Sequence, residues 1–236
     1  MLCNLGGGNL LVEAEISDDM KKMLIAGASG MVGNLVQEKA LNEPEVGEVL
    51  SLVRRGGMIA HPKLTEKVVT DFLDYSGSGE WFKGVDMAFF CIGVYTGQVP
   101  KEEFKQITLD YAVAFGEALK THSPSATLCL LSGAGADRTE ASRMAFAKYK
   151  GMAENQLSAL GLGGFYSFRP AYIYPVTPRE EPSWVYRLTR ALYPLIKLMG
   201  ENSSIKSTEL ASSMLRVGLQ GAESEVLENR DILKYV

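Results

Sequence analysis

One stretch constrains this 236-residue chain more than any other: Lys22-Met-Leu-Ile-Ala-Gly27-Ala28-Ser29-Gly30-Met31-Val32-Gly33. Met23 to Ala26 form an uninterrupted apolar run, short enough for a strand buried on both faces. Glycines follow at 27, 30 and 33, and Val32, Leu35, Val36 and Ala40 then recur at helical spacing. Strand, glycine turn and helix start, in that order, describe a phosphate cradle. Gly27 permits a tight turn, Gly30 carries no side chain to hold a pyrophosphate away, and Gly33 lets the helix lie close on its strand. The helix N-terminus adds unpaired N–H groups and a partial positive charge. Gly27, Ala28, Ser29, Gly30, Met31, Val32 and Gly33 are therefore candidate dinucleotide-binding residues.

Further along, each predicted strand ends in residues suited to the same ligand. The first helix is expected to stop near Asn42–Pro44, and Val46–Val53 reads as the second strand. It runs into Arg54-Arg55-Gly56-Gly57, about 20 residues past the glycine turn, where an NAD-binding fold usually places an acid for the ribose hydroxyls. Guanidinium groups there suit a 2′-phosphate through paired hydrogen bonds and opposite charge, which favours NADP(H) over NAD(H). Lys67–Thr70 reads as a third strand leading to Asp71-Phe72. Asp71 could accept a hydrogen bond from an adenine amino group or cap a turn, and both readings stand. Val85–Cys91 is the fourth strand; it enters Ile92-Gly93, where a bare glycine lets the backbone pass close to a cofactor. Glu102–Lys120 is predicted as one long helix with Phe104, Ile107, Tyr111, Phe115 and Leu119 on its inner face. Thr127–Leu131 is the fifth strand, ending in Ser132-Gly133. A helix over Arg143–Leu160, a strand over Gly164–Phe168, a helix over Ser207–Gly218 and a last strand within Arg230–Val236 complete the expectation.

Strands alternating with helices imply an α/β, Rossmann-like, doubly wound and mostly parallel sheet with helices on both faces. Ligands of such sheets bind beyond the strand C-termini. The glycine turn, Arg54-Arg55, Asp71, Gly93 and Ser132 all follow strand ends, so five local signals converge on one edge. Residues 1–20 read as an appendage and 21–236 as a single domain. Within it, roughly 175–220 forms a substrate-side segment that includes the apolar, aromatic stretch Trp184–Met199.

Composition excludes several classes. A net charge of −4 does not suit an electrostatic nucleic-acid binder. Cys3, Cys91 and Cys129 show neither disulfide nor zinc spacing, so a reducing, cytoplasmic setting without a bound metal is expected. The first 20 residues lack the pattern of a signal peptide, and no run of apolar residues is long enough for a membrane span.

Taken together, the residues from about 22 onward resemble the atypical short-chain dehydrogenase/reductase superfamily, in particular its NmrA-like and Tat-interacting-protein-like NAD(P)H-binding branch. The resemblance rests on Gly27-x-x-Gly30-x-x-Gly33, Arg54-Arg55, Leu131-Ser132-Gly133, Lys150-Gly151 and Arg169-Pro170. It implies cofactor contacts from Phe72, Cys91, Ile92, Gly93, Lys150, Pro170 and Ala171. It also implies a catalytic serine at Ser132 and a Tyr-x-x-x-Lys pair ending at Lys150. In that pair the lysine holds the nicotinamide ribose, and the tyrosine exchanges a proton with the substrate oxygen.

The chain departs from the pattern at one position. Four residues before Lys150 stands Phe146, which has no ionisable group. Tyr149 is adjacent to Lys150, about 100° around the helix. It is the remaining candidate acid, beside Ser132 and Lys150. Three functions follow: an NADP(H)-dependent reductase of a small carbonyl-type substrate, with Tyr149 or water supplying the proton; a redox-responsive NADP(H)-binding regulatory or interaction protein with little turnover; or an isomerase using bound cofactor. The two long helices beginning near Glu102 and Arg143 could form a homodimer face.

Overall fold

Met23, Leu24, Ile25 and Ala26 are each fully buried, which requires apolar layers on both sides of their strand. The computed structural model, which describes residues 20–57, 59–176 and 200–236, supplies both layers. The expectations for residues 1–19 and for Trp184–Met199 lie outside the described residues. Over those described, strands β1 (Lys21–Ala26), β2 (Val46–Val53), β3 (Leu64–Val68), β4 (Met87–Phe90), β5 (Thr127–Leu131), β6 (Gly164–Arg169) and β9 (Val226–Glu228) form one seven-stranded sheet. Its order is β3-β2-β1-β4-β5-β6-β9, and every neighbouring pair is parallel. Strands β7 (Tyr172–Tyr174) and β8 (Ser204–Lys206) make a separate parallel pair.

Alternation along the strands divides the core. Met23, Ile25, Val49, Met87, Phe89 and Cys129 face helices α1 (Met31–Leu41) and α6 (Ser207–Gln220), against Val32, Val36, Leu210 and Met214. Leu24, Ala26, Leu50, Leu52, Ala88, Phe90 and Leu128 face the other way. They meet Phe82 of α2 (Gly79–Phe82), Phe115 and Leu119 of α4 (Tyr111–His122), and Ala153 and Leu157 of α5 (Ala145–Ala159). The fold is the α/β, parallel, helix-flanked sheet expected from the sequence. The strand order turns outward on either side of β1 and β4, and such a switch point is where open sheets of this kind bind ligands.

Three expectations need correction. The third strand, expected over Lys67–Thr70, runs over Leu64–Val68, where it pairs with Val49–Val53 of β2. The helix expected over Glu102–Lys120 is α3 (Lys101–Lys105), a π-helical turn (Gln106–Asp110) and α4 in continuous succession. A π turn takes up an extra residue, so the inner face passes from Phe104 to Thr108 and Leu109, then to Ala112, Phe115 and Leu119. Ile107 and Tyr111 are consequently only half-buried. The strand expected within Arg230–Val236 is instead a helix, α7 (Asn229–Ile232), followed by a 3₁₀ turn. The last strand lies just before it. Among the described residues, no helix is long and apolar enough to cross a membrane.

Candidate functional site

The glycine turn owes its shape to crowding. Gly27 sits at φ +94°, and a Cβ there would come within 2.6 Å of the Cys91 backbone. A Cβ on Gly33 would run into the Gly27 carbonyl. Gly30 differs: its extended backbone (φ −83°, ψ 166°) suits any residue, and its Cβ would meet only the Gly27 oxygen, at 3.3 Å. Gly27 and Gly33 thus serve the turn itself, whereas Gly30 keeps open the exposed space in front of it. Helix α1 begins there with no side-chain cap and no acid in its first turn, which leaves the N-terminal N–H groups and their partial positive charge for an anion. Gly30→Val is therefore expected to leave the melting temperature nearly unchanged while weakening NADPH binding on the order of a hundredfold, as for two lost charge-assisted hydrogen bonds. Gly33→Ala should instead destabilise by about 1–3 kcal/mol through overpacking. Thermal unfolding and a cofactor titration on both variants check this, and undiminished NADPH binding by Gly30→Val would place the cradle elsewhere.

The other strand ends assemble around the cradle. Arg54 and Arg55 follow β2 exposed, and among the described residues no carboxylate pairs with either. The chain then folds back so that Gly57 N–H donates to Glu66 Oε2 at 2.5 Å. Asp71 Oδ1 accepts the Leu73 N–H at 2.8 Å, so one of its oxygens caps the turn. Phe72 is buried and packs at a tilt against Tyr111, with ring centroids 5.6 Å apart. Cys91 lies buried behind the cradle, its Cβ placed to meet a side chain at Gly33. Burial pushes its thiol up to about 12 even though the Lys150 charge opposes this, and the buried Cys129 thiol also rises well above its ordinary value. Ile92 is half-buried, and a Cβ on Gly93 would meet nothing within 4 Å. Pro170 O accepts the Ala134 N–H, and Ala171 N–H is taken by the buried Asn229 side chain, tying this loop to α7.

Helix α5 presents Phe146, Lys150 and Glu154 on one face, each one turn from the next. The structure lays this face along the end of β5. The Phe146 ring tip lies against Gly133, where a Cβ would meet its Cζ at 2.6 Å. Lys150 Nζ donates to Leu131 O at 2.8 Å, and Ser132 Oγ donates to Glu154 Oε1 at 2.6 Å. The sequence places Phe146 and Lys150 correctly on the face toward Ser132, but the Ser132 hydroxyl is turned inward, onto Glu154. Tyr149 points away from that face, its ring centroid 6.3 Å from that of Phe104. Gly151 is glycine because a side chain there would run into the Asp137 carbonyl.

Glu154 is the residue that sequence reasoning missed. Its side chain is fully buried and receives five hydrogen bonds. Oε1 accepts from Ser132 Oγ, Ser167 Oγ (2.8 Å) and Arg169 Nε (3.0 Å); Oε2 accepts from Arg138 Nε (3.0 Å) and Arg169 Nη2 (2.6 Å). Arg169 also reaches Glu228 and Arg138 reaches Glu225, so one carboxylate connects α5 with the ends of β5, β6 and β9. Burial raises its pKa, but hydrogen bonds from Arg169, Ser132 and Ser167 outweigh it and hold the carboxyl below its ordinary range. A carboxylate only accepts, so the Ser132 proton is committed to it. The available signal was the Lys150/Glu154 spacing of four together with Arg169, but such a helical pair ordinarily reads as a solvated surface contact.

The arrangement fits a nicotinamide dinucleotide. Lys150 is 7% exposed, and among the described residues its ammonium donates one hydrogen bond, leaving two N–H groups for a ligand such as a ribose diol. Gly30 leaves room for a pyrophosphate, and Arg54-Arg55 offer two exposed guanidiniums beyond the end of β2.

Comparison with solved structures agrees on the fold. The Bordetella bronchiseptica enzyme WbmH, whose structure holds NAD+, superposes with a TM-score of 0.67 at 16% identity, over 89% of this chain and 75% of that one. Glucuronic acid dehydrogenase from Chromohalobacter salexigens gives 0.63 at 15% identity, over 92% and 84%. An oxidoreductase of the short-chain dehydrogenase/reductase family from Burkholderia thailandensis gives 0.63 at 15% identity, over 84% and 85%. The chain therefore shares the fold of these structures, the parallel, helix-flanked α/β sheet that the sequence resemblance implied. No family model and no curated protein matches the sequence.

Proposed function

We propose that this chain is an NADP(H)-binding protein of the atypical short-chain dehydrogenase/reductase kind, close to the NmrA-like and Tat-interacting-protein-like branch, in which dinucleotide binding outlasts fast carbonyl reduction. The cradle at 27–33, Arg54-Arg55, the 91–93 strand end, Lys150 and the 170–171 loop would hold the cofactor, and the segment from about 175 to 220 would form the substrate side. When bound, the group supplies or accepts hydride. The observation that carries the reading is Phe146. It occupies the acid's place on the Lys150 face, and the neighbouring Ser132 proton already belongs to Glu154, so neither residue offers a proton to a carbonyl oxygen. Such a site suits a redox-responsive regulatory or interaction protein that distinguishes cofactor states.

The retention of Lys150, buried and with two N–H groups to give, favours a second reading. In it the protein is a slow reductase of a small carbonyl-type substrate in which Tyr149 or water provides the proton. Titration with NADPH and NADH, followed by NADPH oxidation across a carbonyl panel, separates the two: tight binding without turnover supports the first, steady turnover the second. Cofactor choice has its own test. Each exposed guanidinium is screened by solvent, so the pair Arg54→Ala/Arg55→Ala is expected to cost NADPH roughly tenfold in affinity, about 1.4 kcal/mol, and NADH much less. Equal losses for the two cofactors in a direct binding assay would remove the 2′-phosphate from these arginines.

A further inference from the structure

Lys150 lies almost wholly inside the protein, and the formal charges that reach it all sit in one network. From its own helix it faces the Glu154 carboxylate, from β4 the Cys91 thiol and from β5 the Leu131 carbonyl. Burial keeps the Cys91 thiol neutral at working pH. Beyond Glu154 stand Arg138 and Arg169, whose outer partners are Glu225 and Glu228.

We propose that Glu154 is a positioning residue for the cofactor site: its buried negative charge keeps Lys150 an ammonium, and the arginines that grip Glu154 set how strongly it does so. The inference rests on the reading that Lys150 holds the cofactor ribose. Its geometry is independent of that reading. Glu154 sits one turn from Lys150 on the same helix face, cannot move because five donors fix it, and is the carboxylate in that network that no water screens. Burial pulls the Lys150 pKa down to about 8, while the Glu154 carboxylate acts to raise it. The ammonium is therefore only just retained at neutral pH. A neutral amine would give the ribose a weaker and differently disposed set of donors. Ser132, in this account, is one of the five anchors of Glu154 and does not meet substrate.

The test is the pH profile of NADPH affinity from about pH 6 to about pH 9. Each variant is expressed as a ratio to native protein, so that the cofactor's own titration cancels. Glu154→Gln removes the buried charge and leaves Arg138 and Arg169 paired only with their outer partners, Glu225 and Glu228. It should lower the pH at which affinity falls by about one unit, roughly a threefold loss relative to native near pH 7.5 that approaches tenfold near pH 9. Arg138→Gln, at a partly exposed position, should act in the opposite sense and extend binding roughly twofold further toward alkaline pH. It also keeps the test decisive if Glu154→Gln fails to fold. Ser132→Ala keeps the charge and should keep the native profile. In the Glu154→Gln background, Lys150→Arg carries a charge that does not titrate in this range and should flatten the dependence. Profiles unmoved in Glu154→Gln and Arg138→Gln, with Lys150→Met still weakened, would overturn the positioning role alone. Native-like binding by Lys150→Met would instead remove the reading beneath it.

Discussion

Glu154→Ala is expected to cost about 3–5 kcal/mol of folding stability, the loss typical when one member of a buried, hydrogen-bonded ion network is removed. The truncation takes from Arg169, 13% exposed, its buried partner, leaving only Glu228 at the outer side, and strands the hydroxyls of Ser132 and Ser167 inside the core. It also unties α5 from the ends of β5, β6 and β9 in one step. The same network makes an acid prediction. The Glu154 pKa is lowered on folding, so its stabilisation is fully present above the ordinary carboxylate value, about 4.3, and is lost as pH falls through the lower folded value. Native protein should therefore lose stability in that acid range, and Glu154→Gln, which cannot titrate, should show a flatter acid limb from a lower starting point. Urea unfolding of native, Glu154→Ala and Glu154→Gln proteins across the range measures both effects. A cost below about 1 kcal/mol for Glu154→Ala, as for an exposed helical position, would show that the network does not hold the strand ends together.

Phe146→Tyr is expected to raise carbonyl-reducing turnover by about 10²–10⁴-fold, the ordinary contribution of a positioned general acid, for a carbonyl that fits the pocket. The ring tip of Phe146 already lies at Gly133, on the helix face that carries Lys150, so a hydroxyl on Cζ would arrive at the end of β5. There the Lys150 charge would favour its ionised form. Native protein, Phe146→Tyr and Tyr149→Phe are to be compared at matched cofactor saturation. A gain in Phe146→Tyr with no change in Tyr149→Phe supports a missing acid. Native turnover that collapses in Tyr149→Phe would make Tyr149 the working acid, despite its ring being turned toward Phe104.

How far the sequence discloses this molecule differs from element to element. Val46–Val53 and Thr127–Leu131 are expected and observed with identical ends, because short segments rich in Val and Leu and bounded by turn residues have few alternative structures. The crowding at Gly27 and Gly33 and the open space at Gly30 are equally legible, since they follow directly from strand–turn–helix geometry. The final strand is not: Val226–Glu228 is three residues long, too short for periodicity, and it exists by pairing with β6. The π turn at Gln106–Asp110 is also invisible in the sequence, because it shifts a helical stripe by one residue without breaking it. Ser132 shows the limit of motif reading. Its position after β5 was legible, but the direction of its hydroxyl depends on Glu154, 22 residues away, and on arginines brought from other elements.

The most direct test of the central claim is a titration of the purified native chain with NADPH and NADH, followed by protein fluorescence or calorimetry. The account predicts binding of both at the same site, with NADPH the tighter by roughly tenfold or more, as expected when Arg54 and Arg55 meet a 2′-phosphate. Equal affinities would contradict the assignment of those arginines, and absence of binding by either cofactor would contradict the assignment of the cradle itself.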